Sequence, residues 1–448
     1  MGMLKNKFEK NKSSLFYTII WICFFLSINI NPENIYELNI ISLGRLVLPF
    51  VFACLVMTYL LKNSKSDFKN NIITTAAVIS YIMIVSIFLL INKNSNSHLN
   101  IYWGIAMLVP FMYLLFFENV PTQLKIFLLS SLFLILVLFF YFFYQVLQNL
   151  FLEQNLINLY GGLFAPTSKY LEHINYPPRS SGLARMALII SISTTVYLLF
   201  KKNNFCISFL LFVLTILLST ICLLFQSRTM SFIYLFLMLL LILILFYKKM
   251  WRNIKIYFLL LLLPFILSII YNFNLQNQIN KVSTTLFQNE LSKTTLNFIA
   301  VSQHLLLRNQ KENFSSSRFD NWKKILEISK KNKFVKGYGF QADRKLINQS
   351  IHNVYLYALI SGGILGLLLI ICISIRSAWT SFFLLFNYSI LKKEFEPIDL
   401  ISSFLMLLFL LRGLLETSYG IYSIDYLFFI ICYFINEVNY RKFIGAQS

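Results

Sequence analysis

Long apolar runs separated by short polar segments dominate the chain. Stretches such as 205–225 and 257–271 approach or reach the roughly 20 apolar residues that cross a 30 Å hydrocarbon layer as a helix. A helix also satisfies its own backbone hydrogen bonds in lipid. The pattern therefore predicts an all-α polytopic membrane protein of about 12 transmembrane helices. The predicted spans are 15–30, 43–61, 72–91, 100–117, 124–147, 183–200, 205–225, 229–247, 256–271, 353–375, 398–415 and 420–436.

The spacing of these spans divides the chain into three parts. Residues 1–271 hold spans one to nine, residues 272–350 form a large outer loop, and residues 351–448 hold the last three spans and a tail. The apolar segment 378–391 is too short to cross a bilayer, so we expect a cytoplasmic interfacial helix there. The composition, with 58% hydrophobic and 13% charged residues, excludes a water-soluble globular domain.

The large outer loop contains one amphipathic segment. RFDNWKKILEISKK places Trp322, Ile325 and Ile328 at helical spacing, which predicts a helix lying on the membrane or on the helical bundle. Two glycines in the following GYGF, Gly337 and Gly339, predict a turn.

The distribution of lysine and arginine predicts the orientation. The predicted inner loops and the N-terminal segment are rich in these residues, whereas the short outer loops hold only four of them. By the positive-inside rule, both termini lie in the cytoplasm. Much of the formal net charge of +21 is therefore explained by membrane insertion and does not indicate nucleic acid as a partner. The four outer residues are Lys93, Lys169, Arg179 and Arg228.

Membrane insertion does not explain the charge of the large outer loop. It holds thirteen lysines and arginines against five acidic residues. This excess indicates an anionic partner outside, with a merely solvated basic surface as the alternative. The chain has no GxxxxGK[ST], HExxH, CxxC or DxD motif, so it shows no signature of nucleotide hydrolysis, of a zinc site or of metal-dependent glycosyl transfer. No metal or other cofactor is predicted, and the six cysteines, all within apolar runs, are interpreted as packing residues.

Six arginines fall at the outer side of the predicted topology. Three of them lie inside or at the edge of apolar runs, where a charged side chain is energetically costly and usually has a function. Snorkelling to the head groups is the alternative. Because the guanidinium group binds phosphate oxygens in bidentate fashion, a phosphorylated lipid head group is the predicted ligand. The three within apolar runs are Arg45, Arg185 and Arg412, and the others are Arg179, Arg228 and Arg318.

Two further side chains bear on this site. His352 stands at the outer mouth of a span, where an imidazole could take a proton from an acceptor hydroxyl, or serve only as a structural histidine. Arg412 and Glu416 are four residues apart and are expected to pair with each other.

Four segments together resemble the O-antigen ligase and O-antigen polymerase superfamily of bacterial envelope glycosyltransferases. They are RSSGLARMALI (179–189), QSRTMSFIYLF (226–236), SRFDNWKKIL (317–326), and KGYGF followed by HNVYLYALISGGILG (336–366). With the large outer loop before the last spans, the similarity covers about residues 160–375.

The resemblance implies a multi-helix, lipid-dependent glycosyltransferase of the bacterial inner membrane, with its site open to the outer leaflet. The implied donor is a glycan on undecaprenyl diphosphate, transferred with inversion and without nucleotide or metal. The implied partners are lipid A-core or another glycan acceptor, membrane lipid and a chain-length regulator. Arg179, Arg228 and Arg318 are similar to the family's diphosphate-binding arginines, and His352 to its catalytic histidine.

The resemblance leaves two activities open. A ligase joins finished glycan to lipid A-core, and a polymerase joins repeat units on the carrier. The single dominant outer loop favours the ligase. A transporter or lipid-glycan flippase is the alternative of another class, but such proteins usually have repeated halves and polar sites at the membrane centre. Here the halves differ, and the polar residues collect at one surface.

Overall fold

The computed structural model describes thirteen α-helices. It covers residues 14–25, 72–91, 97–117, 120–152, 180–201, 204–224, 228–286, 317–347, 349–387 and 396–445, and no strand occurs within these ranges. The helices are α1 (Ser14–Phe25), α2 (Ile72–Ile91), α3 (Ser97–Phe116), α4 (Pro121–Leu152), α5 (Ser180–Phe200), α6 (Phe205–Leu224), α7 (Arg228–Tyr247), α8 (Trp251–Leu286), α9 (Ser317–Lys331), α10 (Ala342–Ile347), α11 (Val354–Asn387), α12 (Pro397–Leu415) and α13 (Ile424–Gly445).

Seven of these helices are long and apolar enough to cross a membrane, namely α4 to α8, α11 and α12. Shorter apolar helices occur at Ser14–Phe25, Ala76–Ile87 and Ala106–Leu115. The prediction of an all-α polytopic membrane protein is confirmed. The number of twelve spans stays a prediction, and the predicted span 43–61 lies outside the described residues.

The chain forms two compact units, the first of which combines residues 1–131 with residues 317–448. Near its N-terminal end, the indole of Trp21 is fully buried, stacks on Tyr113 and Phe127, and donates a hydrogen bond to Ser131 Oγ at 2.8 Å. The hydroxyl of Tyr426 on α13 donates to the Met107 backbone oxygen on α3 at 2.6 Å. The Tyr426 bond joins the C-terminal helix α13 to the N-terminal helix α3 within one core.

Polar side chains pair inside the bundle of α11, α12 and α13. Asn436 is fully buried, accepts from Ser402 Oγ at 2.6 Å and donates to Ser381 Oγ at 3.0 Å. Arg376 forms a two-point ion pair with Glu437, at 2.7 and 3.0 Å. Because a buried polar group without a partner is costly, these pairs specify how the three helices meet.

The second unit comprises residues 132–316 and includes α5 to α8. Ser191 on α5 and Ser219 on α6 share a hydrogen bond of 2.6 Å. On α8, Tyr257 donates to the Met238 backbone oxygen of α7 at 2.7 Å, and Asn253 bonds the Leu199 backbone oxygen of α5. Apolar packing with a few such bonds is the usual way in which membrane helices associate.

Two predicted boundaries differ from the structure. Residues 378–387 continue α11, so the prediction of a separate interfacial helix is wrong for them. The apolar run was divided at Arg376 and Ser377, but Arg376 pairs with Glu437 and Ser377 is fully buried, so these polar residues face protein and the helix continues. Helix α8 also extends to Leu286, past the predicted start of the outer loop.

Candidate functional site

The carboxylate of Glu416 joins two residues that lie far from it in the sequence. Its Oε1 accepts a hydrogen bond from Arg318 Nη2 at 3.2 Å, and its Oε2 lies 2.6 Å from His352 Nδ1. Arg318 Nη1 also donates to the Leu415 backbone oxygen at 3.2 Å. The structure thus brings together Arg318 and His352, two of the predicted site residues in the first unit, around an acid that the sequence had suggested as a partner of Arg412.

Each of the three side chains comes from the end of a helix. Arg318 is in the first turn of α9, His352 precedes α11 by two residues, and Glu416 directly follows α12. Helix ends leave backbone groups unpaired, and Arg318 uses one of them, the Leu415 carbonyl. The side chains of Arg318 and His352 are about one-third exposed, at 32% and 34%, so a substrate can reach both.

Five hydrogen bonds hold the two residues on either side of His352. His352 has a positive φ of 52°, which is unfavourable for a residue with a side chain. The preceding Ile351 donates its N–H to Asp343 Oδ2 at 3.3 Å and accepts at its carbonyl from the Trp322 indole at 2.7 Å. The following Asn353 caps α11 through the N–H groups of residues 355 and 356, and its amide donates to the Leu414 backbone oxygen at 2.9 Å.

Beneath these bonds lies an apolar cluster that settles the position of the amphipathic helix. Ile325, Ala342, Ile351 and Ile360 are essentially fully buried together, with Trp322, Ile328, Tyr338, Ile347 and Leu356 packed against them. The three predicted apolar residues of α9 therefore face protein. Of the two predicted positions for this face, on the membrane or on the bundle, the structure has the second.

Glu416 is held in its charged form. Burial by itself raises the pKa of Glu416, but the hydrogen bond from His352 and the electrostatic interactions with His352, Arg412 and Arg318 outweigh burial and lower the pKa below its ordinary value of 4.5. A carboxylate on Nδ1 places the imidazole proton on that nitrogen. This leaves Nε2, which bonds no residue in the described part of the chain, as the acceptor nitrogen.

Arg412 has a different partner from the one expected. It is 8% exposed and pairs with Asp425, from Nη1 to Oδ1 at 3.0 Å and to Oδ2 at 2.9 Å. Ser418 Oγ also donates to that carboxylate at 3.1 Å. Asp425 on α13 is therefore a hydrogen-bonded partner of Arg412 that the sequence did not predict, and the charge of Arg412 also acts on Glu416, whose pKa it lowers.

The other predicted arginines lie in the second unit or outside the described residues. Arg185 is half-buried on α5 and Arg228 is the first residue of α7, both in the second unit. Arg45 and Arg179 lie outside the described residues. Among the described residues, no group of three or more histidine, cysteine, aspartate or glutamate side chains is arranged to hold a metal ion.

Sequence reasoning missed Glu416, Asp343 and Trp322 as parts of this site. A signal for Glu416 did exist, because it is an acid directly after an apolar span on the side of the arginines. Its spacing to Arg412 diverted the interpretation to a local pair. Asp343 and Trp322 act through the backbone of Ile351, and no spacing in the sequence reports such a bond.

The arrangement offers the parts of an anion-dependent transfer site. Arg318 is an accessible guanidinium that can bind phosphate oxygens, and His352 is an oriented imidazole whose Nε2 has no bonding partner among the residues that the structure describes.

Comparison with known proteins agrees with this chemistry. A family model described as O-antigen ligase matches residues 213–371, which include Arg228, Arg318 and His352. The search of curated proteins found no match. Residues 213–371 are therefore similar to the O-antigen ligase family, within an all-helical, multi-pass membrane protein.

Proposed function

We propose that the chain transfers a glycan from undecaprenyl diphosphate to an acceptor, lipid A-core, at the outer face of the inner membrane, as an O-antigen ligase. The observation that supports this most is the contact of Arg318 and His352 with one carboxylate, because it couples an anion-binding group to a proton acceptor. The orientation with both termini in the cytoplasm, predicted from the charges, puts this site on the outer side.

In the proposed reaction, the acceptor hydroxyl attacks the anomeric carbon from the face opposite the diphosphate. The new bond joins the acceptor oxygen to the anomeric carbon, and the bond from that carbon to the diphosphate oxygen breaks with inversion. His352 Nε2 takes the hydroxyl proton, and undecaprenyl diphosphate leaves with the bonding electron pair. Arginines stabilise the charge that develops on the leaving oxygen.

The residues have distinct roles in this proposal. Glu416 orients His352 through Nδ1 and stabilises the imidazolium that forms, as a carboxylate does beside a catalytic histidine. Arg318 binds the diphosphate, and Arg179 and Arg228 keep the same role on the resemblance alone. Arg45, Arg185 and Arg412 are proposed to bind substrate only because they lie within or at the edge of apolar runs, on the predicted outer side. For Arg412, the buried pair with Asp425 favours a structural role instead.

Purified full-length protein in nanodiscs, supplied with lipid-linked glycan and lipid A-core, tests the assignment. We expect His352→Ala and Arg318→Ala each to lower transfer by about 100-fold or more. The matched control is Lys324→Gln, which removes an exposed charge from the same helix as Arg318 and should leave transfer unchanged. Wild-type transfer rates in both site variants would refute the assignment.

A deletion strain separates the activities. Loss of a ligase strands long polymer on the lipid carrier, whereas loss of a polymerase leaves single repeat units or core capped with one unit. Precursor retained on the cytoplasmic face would instead favour a flippase and contradict the proposal. Adding a chain-length regulator changes the product distribution only if the polymerase reading is right.

A further inference from the structure

Helix α11 is broken within its first three turns. Gly363 has φ 62° and ψ −162°, so the helix stops there and a second helical segment, residues 364–387, begins. Only glycine adopts this backbone conformation readily. The break also turns the chain sharply: a Cβ built on Gly366 would lie 2.8 Å from the Ala358 backbone oxygen, which is far away in a continuous helix.

Residues 334–339 satisfy the backbone groups that the break leaves open. The carbonyls of Ile360 and Ser361 accept from the N–H groups of Tyr338 and Gly339, each at 2.9 Å. The first N–H of the second segment, at Ile364, donates to the Phe334 carbonyl at 2.8 Å. The turn before residue 337 is therefore fixed beside the start of the second segment of α11.

The start of this second segment is also the start of a lipid-facing surface. Residues 357–363 are buried in protein, whereas apolar side chains become exposed from Ile364 onward. Residues 364–387 number 24 and span about 36 Å as a helix, enough to cross the hydrocarbon layer. If residues 364–387 form the span, the edge of the membrane lies near Ile364. The exposed apolar side chains are Ile364, Leu365, Leu368, Ile375, Trp379, Phe382 and Phe386.

The turn at this edge combines exposed apolar and basic side chains. Phe334 and Val335 are exposed at 36% and 66%. All four lysines of residues 330–336 are exposed, and this segment contains no acid. An apolar tip flanked by lysines is typical of segments that insert at the membrane surface and bind anionic head groups. The lysines are Lys330, Lys331, Lys333 and Lys336.

We propose that residues 330–336, the lysine turn, bind the phosphate head groups of anionic phospholipids at the membrane surface. Phe334 and Val335 insert among the lipid chains, and the lysine ammonium groups reach the phosphates while their stems lie along apolar surface. Because residues 334–339 also close the break in α11, the bound lipid stabilises the position of the turn against the span. This binding is independent of which glycan the protein transfers.

Retention of anionic lipid tests the proposal in full-length protein. The protein is released from nanodiscs that hold an equal mixture of phosphatidylcholine and phosphatidylglycerol, and the retained phosphatidylglycerol is measured by native mass spectrometry. The double variant Lys333→Gln/Lys336→Gln should retain roughly tenfold less. The matched control, Lys323→Gln/Lys324→Gln, removes the same charge from the exposed face of α9 and should retain the wild-type amount. Equal retention in the two double variants would overturn the proposal.

A second measurement locates the turn without relying on charge. A fluorophore on Val335→Cys, in a variant whose native cysteines are replaced, should be quenched by spin label on lipid head groups and protected from iodide in water. Quenching by iodide alone would refute membrane contact. The donor KM of the Lys333→Gln/Lys336→Gln variant should stay unchanged. A raised donor KM with normal lipid retention would make the turn part of the substrate site, and would contradict the proposal.

Discussion

Glu416→Gln isolates the part of the site that the sequence did not reveal. Glutamine keeps the shape of the side chain and an acceptor oxygen for Arg318, but it removes the charge that lies 2.6 Å from His352 Nδ1. The amide can also donate to Nδ1, which would move the imidazole proton to Nε2 and leave no acceptor for the substrate proton. The loss therefore falls on the proton-transfer step.

The expected magnitude follows from the role of the lost contact. General-base catalysis contributes roughly 100- to 10,000-fold, and because His352 is 34% exposed, solvent partly replaces the lost charge. We expect kcat to fall by about 100- to 1,000-fold, which corresponds to roughly 3–4 kcal/mol in the barrier. The donor KM should change by less than about threefold, because Arg318 retains an acceptor.

Steady-state transfer in nanodiscs measures both parameters. The matched control is Glu327→Gln, the same substitution at an exposed glutamate of α9, and it should leave kcat and KM unchanged. A kcat for Glu416→Gln within about threefold of wild type would refute the orienting role. A raised donor KM with unchanged kcat would show that the carboxylate serves binding and not proton transfer.

Three further predictions concern the scaffold of the site. Gly363→Ala should lower Tm strongly, because the new Cβ would collide with the Val335 backbone oxygen at a backbone conformation that only glycine adopts readily. Gly362→Ala, whose new Cβ would have a side-chain atom at 3.2 Å as its nearest neighbour, should change Tm much less. Trp322→Phe keeps an aromatic ring but removes the indole N–H that donates to the Ile351 carbonyl, so kcat should fall while Tm changes by only a few degrees. A large fall in Tm together with the fall in kcat would contradict a positioning role. The pKa of Glu416 is lower in the folded protein than its ordinary value of 4.5. The stability that its charge contributes is therefore complete above pH 4.5 and is lost as pH falls through the folded pKa. The difference in Tm between wild type and Glu416→Gln should accordingly shrink only below pH 4.5.

The sequence by itself determined the class of the protein and half of its site. Apolar runs of membrane length predict spans because each helix in lipid must satisfy its own backbone hydrogen bonds. The apolar face of Trp322, Ile325 and Ile328 and the glycine turn were also predictable, because helical periodicity and glycine chemistry are local properties. His352 stood out because it lies where the polar loop meets an apolar run, and Arg318 stood out because it is an arginine on the predicted outer side, in a segment that carries the family resemblance.

Only the tertiary structure decided which groups meet. Glu416 lies 98 residues from Arg318 and 64 from His352, and it binds both because the ends of three helices converge. Arg412 pairs with Asp425 on the next helix, although Glu416 stands one helical turn away. The break at Gly363 likewise depends on residues 334–339, which supply hydrogen bonds from outside the helix. Spacing along a chain reports neighbours on one helix, whereas these partners are set by how separate helices pack.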